Sequence, residues 1–106
     1  MKRYLTVVML GFVLLAIPAR ADEKQIEIKD YQYIPVNLTV PVGTKVTWIN
    51  RDEVPHTVTE VNKTFGSAAL DTDDSFSTTF SGPGIYKYYC RLHPNMTGTI
   101  TVTADK

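Results

Sequence analysis

The sequence predicts an all-β fold, a two-sheet Greek-key β-sandwich, on three observations. Apolar and polar residues alternate with a period of two through short segments, turn-forming residues separate those segments, and no segment past the N-terminal apolar run repeats its apolar residues at helical spacing over a useful length. Short strands separated by turns at this spacing suit a sandwich or barrel. Residues 25–29 place Ile26 and Ile28 on one face, residues 37–40 follow Pro35, and Pro41-Val42-Gly43 turns the chain into residues 45–49, Lys-Val-Thr-Trp-Ile. Residues 56–61 form the next expected strand, after Pro55. Residues 62–74 lose the alternation and read as a loop with room for one helical turn. Strands are expected again at 75–80, at 85–89 after Gly82-Pro83-Gly84, and at 98–103 after Pro94. Lys87 belongs in water, so the period of two turns Tyr86, Tyr88 and Cys90 inward. Tyr86 stands where a sandwich forms its tyrosine corner.

The N-terminus reads as a secretory signal peptide over residues 1–21. Lys2 and Arg3 precede an apolar run from Tyr4 to Ile17, and Ala19-Arg20-Ala21 offers a small-x-small cleavage site. The run is shorter than the ~18 to 20 residues that span a bilayer, and Pro18 ends it. Residues 22–106 are then expected as one soluble domain in the periplasm, without a membrane anchor. Cleavage would remove Lys2, Arg3 and Arg20 from the 11 basic residues and none of the 11 acidic ones, leaving a mildly acidic remainder. The remaining basic residues are scattered rather than set in a stripe, which argues against nucleic-acid binding.

Cys90 is the single cysteine, so it makes no internal disulfide. With Met1 and Met9 assigned to the signal peptide, the domain holds one Cys, one Met (Met96) and two His (His56 and His93). Three of these four lie in Cys90-x-x-His93-x-x-Met96, directly after a core strand. A thiolate, two imidazoles and a thioether are the donors of a blue-copper site, in which His₂Cys surrounds the metal and Met is a weak axial ligand. Zinc calls for a stronger fourth ligand, and a c-type haem needs a Cys-x-x-Cys-His motif that the chain lacks. A Cys-His nucleophilic pair would have no evident third group to orient its base and no use for the methionine.

The segments WINRDEVPHTV and GPGIYKYYCRLHPNM resemble the cupredoxin family, and within it the amicyanin group, whose ligand loop is likewise Cys-x-x-His-Pro-x-Met. GSAAL at residues 66–70 and PVGTKVTWIN upstream extend the likeness over most of residues 22–106. The resemblance implies a cupredoxin fold, one type 1 copper per chain, and His56, Cys90, His93 and Met96 as its ligands. It also implies that Asn50 braces the loop beside the thiolate. His93 would be the electron port, rimmed by Val54, Pro55, Leu92, Pro94 and Leu70. Asn95 and Thr97 flank Met96 where amicyanins carry an aromatic residue and an arginine. The amicyanin partner, methylamine dehydrogenase, therefore does not carry over with the site.

The reading is a monomeric one-electron carrier, not an enzyme, working between periplasmic redox proteins such as a c-type cytochrome or a dehydrogenase. Asp71, Asp73 and Asp74, with Asp52 and Glu53, would form an acidic flank that steers a basic partner. Two alternatives stand beside it: a copper-binding module for storage or delivery without electron shuttling, and a metal-free adhesive sandwich whose Cys90 forms a mixed disulfide.

Overall fold

The computed structural model describes residues 22–104, so the expected signal peptide at residues 1–21 and its cleavage site lie outside the described residues. Eight strands follow in order: β1 (Glu23–Lys29), β2 (Gln32–Ile34), β3 (Asn37–Pro41), β4 (Lys45–Asn50), β5 (Thr59–Glu60), β6 (Ser75–Thr79), β7 (Gly84–Tyr89) and β8 (Thr97–Thr103). One sheet runs β2-β1-β4-β6 and the other β3-β8-β7-β5. The pairs β1–β4 and β3–β8 are parallel and the remaining pairs antiparallel, so both sheets are mixed. Among the described residues there is no helix. The chain crosses between the sheets after each of β2, β3, β4, β5 and β6, giving the all-β sandwich that the alternation predicts.

The alternating residues fill the space between the sheets. Ile26, Ile28, Val46 and Trp48 meet Val40, Tyr88, Ile100 and Val102, all buried, and each aliphatic or aromatic side chain so placed contributes about 1.5–3 kcal/mol. Trp48 stands edge-on to Tyr88 at 5.3 Å between ring centroids. Gly98 pairs with Tyr88 across β7–β8, and a Cβ there would overlap the Tyr88 ring. The Tyr86 hydroxyl donates to the Gly82 carbonyl at 2.6 Å, closing a tyrosine corner.

Two elements differ from the sequence expectation. β2 has only three residues, too few for a period to show, and exists because Lys29 pairs with Gln32 across a two-residue turn. The strand expected at 56–61 shrinks to β5, because the Ser67 hydroxyl accepts from the Val58 amide at 2.9 Å and so takes a ladder position. The following loop contains no helical turn and folds back along this segment. His56 and Leu70 exchange both backbone hydrogen bonds, at 3.1 and 2.7 Å.

Candidate metal centre

Cys90 is the first residue beyond β7 and is fully buried. The loop after it closes on itself through its own backbone. The His93 amide donates to the Cys90 carbonyl at 3.2 Å, the Met96 amide to the His93 carbonyl at 2.9 Å, and the Cys90 amide to the Met96 carbonyl at 3.1 Å. These bonds return Met96 beneath Cys90 before β8 begins, with the Met96 side chain buried and His93 half-buried. Leu92, Pro94 and Asn95 remain exposed on the outer side of the loop.

His56 arrives from a different quarter. Asn50, buried at the end of β4, donates from Nδ2 to the carbonyls of Val54 (2.9 Å) and Leu70 (2.8 Å), and its Oδ1 accepts from the Asp52 amide at 2.9 Å. The loop that Asn50 braces is therefore residues 51–55, which delivers His56, rather than the loop that carries the thiolate. The Cys90 Sγ accepts instead from the Thr57 amide at 3.3 Å. The Thr57 hydroxyl accepts from the Arg91 amide at 2.8 Å, so Thr57 ties the two sides together. Tyr33 in turn donates its hydroxyl to the Thr57 carbonyl at 2.6 Å, and burial pushes the Tyr33 pKa well above its ordinary value.

The Nδ1 atoms of His56 and His93 each lie 3.7 Å from Cys90 Sγ, and the three donor atoms are all within 4.8 Å of one another. Metal bonds of about 2.0 Å to nitrogen and about 2.3 Å to sulfur, opened to a trigonal angle of about 120°, separate such a pair by about 3.7 Å. The donors thus fit one metal ion in a trigonal N₂S arrangement. Met96 and His93 line the same surface recess, together with Tyr31, Leu92, Pro94 and Asn95. That places the methionine beside the donor triangle.

Asp52 departs from the sequence expectation. Read there as part of a solvated acidic flank, it is buried and bonded to His56 Nε2 at 2.7 Å. Its carboxylate also accepts the amides of Asp30 (2.8 Å) and Tyr31 (2.9 Å). Burial alone would raise its pKa, but the Tyr31 amide, His56 and the Asp30 amide outweigh it and hold the group below the usual carboxylate range. An ionised carboxylate only accepts, so it takes its hydrogen bond from His56 Nε2 and leaves Nδ1 as the ring nitrogen turned toward Cys90. The charge of Asp52 says only that a turn residue should be solvated. Its position four residues before His56 is the one sequence feature that could have linked the two.

Of the expected rim, Pro55, Leu92 and Pro94 are exposed and Val54 is half-buried. Leu70 is corrected: at 6% exposure, and held by its bridge to His56, it belongs to the core and not to the rim. Glu53, Asp71, Asp73 and Asp74 are exposed, with Asp73 paired to Arg51 at 2.7 Å.

A cupredoxin-like domain model matches residues 3–102. The amicyanin of Paracoccus denitrificans is 39% identical over 82 residues, covering 73% of this chain and 63% of that protein. This chain therefore spans less than two thirds of that relative's length. The plastocyanin of Scenedesmus fuscus is 35% identical over 81 residues, covering 64% and 83% of the two chains. Among solved structures, a purple cupredoxin from Nitrosopumilus maritimus is 43% identical with a TM-score of 0.71, over 74% of this chain and 98% of that one. The Cu(I) form of an amicyanin variant is 32% identical with a TM-score of 0.73, over 83% and 88%.

Proposed function

Because the chain belongs to the cupredoxin family, we propose that it is a type 1 copper protein that carries single electrons between periplasmic redox partners. His56, Cys90 and His93 would hold the ion, with the Met96 thioether as a weaker fourth donor. The observation that carries this reading is the triangle of two imidazole Nδ1 atoms at 3.7 Å from one buried thiol sulfur. Copper, when bound there, supplies a one-electron Cu(II)/Cu(I) couple.

The protein's part is to hold those donors still. Asp52 fixes the His56 ring through Nε2, Thr57 fixes the Cys90 sulfur through its amide, and the loop bonds fix His93 against Cys90. Donors that keep one arrangement in both oxidation states let an electron move with little rearrangement. His93, half-buried at the surface, is the electron port, and Val54, Pro55, Leu92 and Pro94 form the docking rim around it. Glu53, Asp71, Asp73 and Asp74 favour a partner with a basic face, such as a c-type cytochrome, or a dehydrogenase with such a patch.

Electron self-exchange separates this reading from copper storage or delivery. Mixed Cu(I) and Cu(II) protein should show concentration-dependent broadening of NMR signals near the site. Leu92→Asp should slow the exchange at least tenfold with the absorption spectrum unchanged. Negligible exchange in wild type, with copper passed instead to a competing chelator, would favour the storage or delivery module.

A further inference from the structure

Asp30 and Tyr31 alone join β1 to β2, since Lys29 pairs with Gln32. Both have positive φ, 53° and 59°, the conformation of a type I′ turn. Glycine is the ordinary second residue of such a turn, because a side chain with this backbone is strained. A tyrosine held there is the kind of outlier that points to a use for its side chain. The surroundings hold it firmly: the Asp30 and Tyr31 amides both donate to the Asp52 carboxylate, which also binds His56.

The Tyr31 side chain does not serve the core, being 50% exposed. Its ring stands edge-on to His93 at 4.8 Å and to His56 at 5.3 Å, with an interplanar angle of 85° to each. Those two imidazoles lie 5.0 Å apart, so one aromatic ring spans both of them from the solvent side. The same ring borders the recess that reaches Met96.

We propose that Tyr31 is a cap that closes the metal centre to water and small anions, an assignment that rests on the copper reading above. Cu(II) readily accepts further ligands in tetragonal geometries. A water or anion that joined the metal on oxidation and left on reduction would add rearrangement to each electron transfer. An aromatic ring laid across both histidines blocks that approach on its side. The contacts are made by the ring, so the hydroxyl is dispensable to the cap.

Tyr31→Gly and Tyr31→Phe test this. The glycine variant relieves the turn, so its metal-free form should unfold at the same temperature as wild type or higher, as no core-packing role would allow. In metal-free protein, the ring-current shifts that Tyr31 imposes on the His56 and His93 ring protons should persist in Tyr31→Phe and be lost in Tyr31→Gly, which leaves only the shifts the two imidazoles impose on each other. Azide titrated into the Cu(II) forms should leave the spectra of wild type and Tyr31→Phe unmoved and produce a saturable change in Tyr31→Gly. An azide-responsive wild type, or a glycine variant as indifferent to azide as wild type, overturns the cap. Absence of the ring-current shifts from metal-free wild type overturns it independently of copper. A wild-type Cu(II) protein without a thiolate charge-transfer band overturns the copper reading itself, which the spectrum shows before any azide is added.

Discussion

Residues 90–96 hold themselves together, whereas the His56 side is held by residues from several other segments. In the loop, each of three backbone hydrogen bonds joins residues of the loop to one another. Around His56, the bonds come from Asn50 at the end of β4, from Asp52, from Leu70 and through Asp52 from the β1–β2 turn. Local closure makes a loop portable and tolerant, because its geometry depends on few distant partners. Assembly from afar makes the His56 side rigid only when the whole sandwich is folded. The His56 half should therefore respond to distant substitutions more strongly than the loop, whose hydrogen-bonded ties outside itself run through Thr57.

The largest expected effect breaks the assembled half. Asp52→Ala leaves His56 Nε2 and the Asp30 and Tyr31 amides without their shared acceptor, and should destabilise the metal-free protein by about 3 kcal/mol in urea unfolding. Asn95→Ala, in the self-closed loop and exposed, should change stability by less than about 0.5 kcal/mol. Equal losses from the two substitutions would erase the contrast between the halves.

Tyr33→Phe sharpens the comparison at the tie between the halves. It leaves the buried Thr57 carbonyl without its donor and should cost about 1–2 kcal/mol. The Thr57 amide on the Cys90 sulfur should loosen with it, which a weakened affinity for Cu(I) in a chelator competition would report. An unchanged Cu(I) affinity at reduced stability would confine Tyr33 to the core.

A smaller effect comes from outside both halves. Glu60 is buried, and its Oε1 accepts the amides of Asn62 and Thr64 and the Thr64 hydroxyl. Burial alone would raise its pKa, but those bonds outweigh it and hold the pKa below the usual range. A depressed folded-state pKa contributes stability that is present above the unfolded value, about 4.3, and is lost as pH falls through the folded one. Wild type should therefore lose stability below about pH 4 more steeply than Glu60→Gln, in unfolding midpoints measured between pH 3 and pH 6. Matching pH profiles would remove Glu60 from the account.

What was legible in the sequence follows the same division. Ile26, Ile28, Val46 and Trp48 alternate, and the sandwich follows from that pattern. The crowding of Cys90, His93 and Met96 into one loop is local and reads directly as a donor set. Asp52, Leu70, Thr57 and the Tyr31 turn were not legible in the same way, because each owes its role to bonds made across the fold. A carboxylate in a turn looks solvated until His56 and two amides are brought onto it. β2 is invisible to periodicity because three residues carry too little of it, and it rests on a turn whose tyrosine is not a turn-former.

Cu(II) absorption of the folded protein bears most directly on the central claim that His56, Cys90, His93 and Met96 hold one type 1 copper. One equivalent of Cu(II) should produce an intense thiolate-to-copper charge-transfer band in the visible. Cys90→Ser should abolish that band while keeping the β-sheet circular dichroism of wild type. A correctly folded wild-type protein that binds Cu(II) without the band would contradict the claim.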